Sequence, residues 1–277
     1  MLLAIITHPR DRRLRSWLDG WVPVSSPRYQ LDAMLIEGRR TGLRWFFTDP
    51  GKRFRPADAA ILHVDQSVVG QPYLDLAARY PVAVNGRARD IRKRQVSRNL
   101  VQRDSGWTGP VLVKSDLNCG GRPEYLVAQR GGAALPPPPP EYHLYDRIDL
   151  VPAAVWDDPG RVVERYLPER RDGMNVLRIW SFMGDYERCS WYTSPETIVK
   201  GRNIVSFGSA EVPEVLRQER QRLGIDYGKF DFAIGPEGPV LYDANKTPGY
   251  LSARPDLMRE AGGKMARALM RMVDGRA

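Results

Sequence analysis

Lys229-Phe-Asp-Phe-Ala-Ile-Gly-Pro-Glu-Gly-Pro-Val-Leu-Tyr-Asp-Ala-Asn245 reads as a β-hairpin whose strands carry acidic side chains. Pro236-Glu237-Gly238 suits a three-residue loop, with proline at the first turn position and glycine in the left-handed conformation that closes a bulge. That loop sets Ala233 opposite Leu241 and Asp231 opposite Asp243. Opposed residues share a face, and the period of two brings Asn245 to the same face. Two facing carboxylates repel unless a cation or proton lies between them, and two carboxylates with an amide suit Mg²⁺ bound to substrate phosphates. A two-residue turn would put the aspartates on opposite faces. The bland alternative is a surface hairpin with solvated acids.

Around this hairpin the composition is that of an ordinary globular protein. A chain of 277 residues buries a substantial core as one large domain or two small ones. The formal charge of +9, from 42 basic and 33 acidic residues, favours anionic partners, which include nucleotides and phosphorylated substrates as well as nucleic acid. Cys119 and Cys189 are the only cysteines, so neither a disulfide framework nor a paired-cysteine metal motif is present. The apolar opening Met1 to Ile6 is too short to span a bilayer and runs into a basic stretch without a cleavage pattern, so a cytoplasmic protein is expected.

Upstream, Leu2 to Thr7, Leu43 to Thr48, Ala59 to Val64 and Pro81 to Val84 are short apolar runs, predicted to be parallel strands. Leu31, Met34 and Leu35, then Leu74, Ala77 and Ala78, repeat at helical spacing between them, which makes residues 1–84 a small α/β domain and leaves 85–277 for the rest. His8, Asp65 and Asn85 each follow a strand, where such sheets bind ligands, although a capping or turn role is the commoner one. Asp90 to Gln102 reads as a basic helix. Val111-Leu-Val-Lys114 is a buried strand opening into Asn118-Cys-Gly120-Gly121, an order in which a lysine and backbone amides can hold polyphosphate. Pro136 to Pro140 reads as an exposed insertion loop. Arg161 to Leu167 and Asn175 to Met183 read as strands, and Pro213 to Leu223 and Leu257 to Val273 as helices. On the second of these strands Arg178 shares a face with Trp180 and Phe182, where a cation needs an anionic partner.

In this order the segments resemble the ATP-grasp superfamily, which includes glutathione synthetase, D-alanine:D-alanine ligase and ribosomal-protein glutamate ligases. The resemblance covers roughly residues 80–255. It implies an α/β (α+β) ATP-grasp fold preceded by a small Rossmann-like pre-grasp domain. It also implies ATP with Mg²⁺, or Mn²⁺ in its place, as cofactors. Lys93 and Lys114 take the roles of the two nucleotide-binding lysines, and Asn118, Gly120 and Gly121 that of the phosphate-covering loop. Glu164, Tyr166 and Leu167 resemble the hinge that receives adenine, with Glu169 toward the ribose. Arg178 matches an arginine near the transferred phosphate, and Arg202, within Lys200-Gly-Arg202-Asn203, a later basic residue at the reaction centre. Asp231, Asp243 and Asn245 look like the metal set, with Asp243 where the family commonly has glutamate.

The activity so implied is ligation: a carboxylate attacks the γ-phosphate of ATP, and an amine or thiol captures the acyl phosphate. Small-molecule or peptide carboxylates and amines are the implied substrates, no membrane or nucleic-acid partner is expected, and homodimers are common among such enzymes. An ATP-grasp small-molecule kinase is the nearest alternative. A basic nucleic-acid-binding protein using Arg87 to Arg98 is another, with no helix-turn-helix or zinc signature to support it.

Overall fold

The computed structural model describes residues 1–11, 29–135, 138, 142–249 and 255–275. The four N-terminal apolar runs form β1 (Leu2–Ile6), β2 (Arg44–Thr48), β3 (Ala59–Leu62) and β4 (Ala83–Val84), a parallel sheet in the order β2-β1-β3-β4. β1 and β3 are buried almost throughout, as their unbroken apolar character requires of parallel strands covered on both faces. The helices read from spacing are α1 (Gln30–Arg39) and α2 (Gln71–Ala77).

The basic stretch after Asn85 departs from expectation. Only α3 (Lys93–Val96) is helical; Ser97 is extended, and the chain then runs beside the strand Arg161–Arg165, where Val101 N–H donates to Val163 O and Arg165 N–H to Asn99 O. Backbone pairing at long range outweighs the helical pattern, because each edge carbonyl and amide gains a partner. Four of the six cations from Arg87 to Arg98 are also tied down, Arg92 to Asp90, Lys93 to Asp243, Arg94 to Asp116 and Arg98 to Glu219, while Arg87 and Arg89 are exposed. Cations neutralised by their own protein offer less to a nucleic-acid backbone.

A second sheet follows, β5 (Val111–Ser115) between β6 (Tyr142–Tyr145) and β7 (Arg161–Arg165), all antiparallel, with α4 (Arg122–Arg130) and α5 (Ala153–Trp156) in its connections. The proline run, apart from Pro138, lies outside the described residues. The third sheet contains β8 (Glu169–Arg171), β9 (Met174–Met183), β10 (Tyr186–Ser194), β11 (Ser206–Ser209), β12 (Tyr227–Gly235) and β13 (Gly238–Asn245), in the order β11-β10-β9-β12-β13 with β8 also paired to β9. One face of it buries Trp180, Phe182, Phe230 and Phe232 beneath α6 (Glu214–Leu223) through Leu216 and Leu223. The rings meet edge-on or tilted, with centroids 4.6–5.6 Å apart. The opposite face is the one that lines the cavities.

The C-terminal helix α7 (Pro255–Asp274) returns to the N-terminal sheet, where Met265, Ala266 and Leu269 join Leu31, Met34 and Leu35 of α1 in one core. The approach is close: a Cβ on Gly262 would stand 2.5 Å from Ala33 O, so glycine is required there. Among the described residues no helix is long and apolar enough to cross a membrane.

Candidate functional site

The hairpin exists, and Asp231 does face Asp243, but by a different route. Gly235 pairs with Gly238, so the loop is the two-residue Pro236-Glu237, and Ala233 faces Val240 rather than Leu241. That register alone would set the aspartates on opposite faces. A bulge between Asp231 and Phe232 leaves Tyr242 without an opposite residue and restores the parity, which also brings Lys229 opposite Asn245. The extra residue is held from outside the hairpin: Tyr242 Oη donates to Leu167 O at 2.8 Å, and Tyr242 O accepts from Lys114 Nζ at 3.2 Å.

A cavity of about 350 Å³ lies between the second and third sheets. Leu112, Val176, Leu177 and Ile179 supply apolar wall, Tyr142, Tyr166 and Tyr242 aromatic wall, and Lys114, Lys200, Lys229, Asp231, Asp243 and Asn245 are among the charged and polar lining. It is of a size and character suited to a small organic ligand with an anionic end. Lys114 is paired at 2.6 Å with Glu164, both nearly fully buried. Lys93 reaches Asp243 at 2.5 Å, and Lys229 reaches both oxygens of Asp231 at 3.0 and 2.9 Å.

The electrostatics of this face follow from burial and pairing. Burial acts to lower Lys93 and Lys229, but Asp243 beside the first and Asp231 beside the second more than offset it, so both are raised and stay charged. Burial pushes the Asp231 carboxyl up, Lys229 pulls it down, and the facing Asp243 pushes it up again. Such a carboxylate pair gains from added positive charge. The donors fit a hard cation: Asp243 Oδ2 has no hydrogen-bond partner among the described residues, and Asn245 presents its amide on the same face. Among the described residues no group of three histidine, cysteine or acidic side chains is clustered for a metal, so any ion here would draw its remaining ligands from phosphate and water.

The other residues expected at the site fall into two groups. Glu164 and Tyr166 line the cavity, while Leu167 contributes only the carbonyl that Tyr242 uses. Asn118 folds the loop through Ser67 Oγ and Cys119 N–H; Cys119, Gly120 and Gly121 are successively left-handed, and only Cys119 reaches the cavity. Arg178 sits on the Trp180 face, outside the cavity lining, held at 2.8 and 2.7 Å by Glu169, whose Oε2 also accepts from Ile234 N–H. Glu169 is thereby committed to Arg178 rather than to a ribose, and alternation along β9 puts Leu177 and Ile179 on the cavity side instead. Arg202 is exposed and outside the cavity; its neighbour Lys200 lines it, 5.4 Å above the Tyr142 ring. The sequence reading named Lys200 only as part of the segment of Arg202, and it missed Lys229 although the signal was present, since a residue two before Asp231 shares its face.

The strand-end candidates serve as joints. Asn85, at φ 59°, accepts from Asp226 N–H and Tyr227 N–H and donates to Tyr227 O and Lys246 O. Asp65 accepts from Tyr29 Oη and Thr247 Oγ1, and His8 Nδ1 from Arg10 N–H. Beside Asp65, His63 is fully buried between Tyr29 and Tyr227, with neither ring nitrogen hydrogen-bonded among the described residues. Burial lowers it from 6.5 to about 4, against the pull of Asp65 and Asp11 and with the help of Lys246. The unfolded chain therefore takes a proton that the folded protein refuses, so stability is full above pH 6.5 and falls as the pH drops toward 4. The loss is on the order of 3 kcal/mol. His63→Phe keeps a ring between the tyrosines and is expected to flatten that slope in urea unfolding measured at several pH values; an unchanged slope would assign the acid sensitivity elsewhere.

No family model matches the sequence, and no curated protein matches it. Solved structures do. The RimK domain protein ATP-grasp from Sphaerobacter thermophilus DSM 20745 superposes with a TM-score of 0.51 at 15% identity, over 98% of this chain and 100% of that one. The ATP-grasp ligase PsnB, complexed with a phosphomimetic variant of its minimal precursor, Mg and ADP, superposes with a TM-score of 0.52 at 11% identity, over 98% of both chains.

Proposed function

Starting from a chain with the ATP-grasp fold, we propose that this protein is an ATP- and Mg²⁺-dependent ligase that joins a carboxylate to an amine or thiol through an acyl phosphate. One observation carries the reading: a single cavity is lined both by an apolar and aromatic slot beside the hinge residues Glu164 and Tyr166 and by Lys114, Lys200 and Lys229 next to the Asp231–Asp243 pair. The slot suits a base and the lysines suit a polyphosphate. With nucleotide bound, Mg²⁺ on Asp243 and Asn245 would supply charge neutralisation at the phosphates.

The protein's own groups do the rest. Lys114, held by Glu164 and Tyr242 O, and Lys200 bind phosphate oxygens and stabilise charge that spreads over the transferred group. Cys119, at the head of the glycine turn, walls the cavity and helps exclude water, which would otherwise hydrolyse an acyl phosphate. A smaller cavity of about 90 Å³ shares Ile179 and Lys229 with the first and carries Ser181, Ser190 and Arg188. It is where we place the carboxylate acceptor, a small molecule or a peptide end, with Arg188 as its counter-charge.

Calorimetry with ATP, with and without Mg²⁺, tests the reading. Saturable, Mg²⁺-dependent binding is the expected result, and its absence sinks the proposal. Turnover then identifies the chemistry, because a ligase releases phosphate and forms an amide or thioester whereas a kinase leaves phosphate on the acceptor.

A further inference from the structure

The two aspartates of the hairpin each already hold an ammonium group, and they do so unequally. Lys229 Nζ donates to Asp231 Oδ1 and Oδ2 at 3.0 and 2.9 Å, so both oxygens of that carboxylate are engaged by one cation. Lys93 Nζ engages only Oδ1 of Asp243, at 2.5 Å, and Oδ2 is open among the described residues. The amide of Asn245 has capacity as well. Its Oδ1 accepts from Thr247 N–H at 2.8 Å, and although Thr247 Oγ1 lies 3.2 Å away, the single hydroxyl proton serves the shorter 2.7 Å bond to Asp65 Oδ1. One lone pair of the amide oxygen therefore stays available.

The open donors on this face are thus Asp243 Oδ2 and one lone pair of Asn245. That set holds one hard cation which keeps its remaining ligands as water and phosphate oxygen. A second divalent ion would need Asp231, whose oxygens Lys229 occupies, and would stand within a few ångströms of that buried ammonium, where like charges repel strongly. Lys229 is positioned for this by the strand itself: two residues before Asp231, on the same face, and opposite Asn245 across the hairpin. It lines both cavities, so it stands at the boundary between the nucleotide and acceptor spaces.

We propose that Lys229 is a built-in cation that holds Asp231 in place of a second divalent ion, so that this site takes a single divalent ion per bound nucleotide, on Asp243 and Asn245. The inference rests on the ATP-dependent reading above. It also gives Lys229 a chemical role, a fixed positive charge at the junction where phosphoryl group and acceptor would meet, which a merely structural ion pair would not have.

Counting Mn²⁺ by electron paramagnetic resonance, with the chain saturated by a non-hydrolysable ATP analogue, is the test. One ion per chain is expected in the wild type, two in Lys229→Ala, and one in Lys229→Arg, which keeps the charge. Lys229→Met retains the apolar stem, carries the same expectation as the alanine variant, and serves if that variant fails to fold. Two ions in the wild type, or one ion in every variant, overturns the proposal. Two ions with nucleotide bound leaves the ATP-dependent reading standing, whereas a wild type that binds no nucleotide overturns both.

Discussion

Lys114→Met is expected to weaken ATP binding about 100-fold and to destabilise the protein at the same time, and the two effects are separable. Loss of a charge-assisted contact to phosphate costs about 1.5–3 kcal/mol, which is the source of the affinity change. The stability change has another origin. Lys114 is 3% and Glu164 4% exposed, they meet through Oε2 at 2.6 Å, and Glu164 Oε1 has no hydrogen-bond partner among the described residues. Removing the ammonium strands a buried carboxylate, at a cost of about 3–5 kcal/mol. Adding Glu164→Gln removes the stranded charge, so the double variant should recover most of the stability in denaturant unfolding while ATP affinity stays low in calorimetry. Recovery of both in the double variant would make Lys114 a structural residue only.

Asp243→Asn should lower Mg²⁺-dependent turnover by about 100- to 1,000-fold, the range typical of deleting one electrostatic contact to developing charge. The substitution keeps size and shape but removes the open anionic oxygen, Oδ2, that faces the cavity. Folding should suffer less than turnover, because the asparagine carbonyl can still accept from Lys93, whose charge also feels Glu164 and Asp231. The measurement is phosphate release against Mg²⁺ concentration, with unfolding by urea as the control for stability. A variant with the wild-type Mg²⁺ dependence would remove Asp243 from the metal site and, with it, the assignment of the hairpin.

Where the physics is local, the sequence was readable. The N-terminal strands are unbroken apolar runs because both faces of a parallel sheet are covered, and the observed strands fall inside the expected runs. The terminal helix was legible from Met265 and Leu269, both buried against α1. The 90–102 stretch was not. Its apolar residues recur at helical intervals, yet Val101 and Asn99 pair with β7, and no property of the stretch itself announces a partner more than sixty residues away. Strands β8 and β11, and β10 between β11 and β9, were likewise missed, since their mixed polar sequences carry little periodic signal.

At the site the same division holds. Strand alternation alone assigns Arg178 to the face of Trp180 and Phe182; what it could not say is which face the ligand cavity occupies, and Glu169 takes that guanidinium on the far side. Arg202 and Lys200 differ by two residues in a short 3₁₀ turn whose direction depends on how the preceding loop crosses the cavity.

The hairpin separates the two kinds of information most clearly. From the sequence alone come its existence, its acidic residues, the lysine two positions before the first of them, and the requirement that facing carboxylates be given positive charge. The register came from elsewhere. The turn is one residue shorter than its proline and glycine suggest, and Asp231 meets Asp243 only because Tyr242 bulges out of the ladder. Tyr242 is held by Leu167 O through its hydroxyl and by Lys114 through its carbonyl, contacts made by segments distant in the sequence. A one-residue change of parity moves every side chain on a strand to the other face, so the decision about which groups meet in the cavity belonged to tertiary packing.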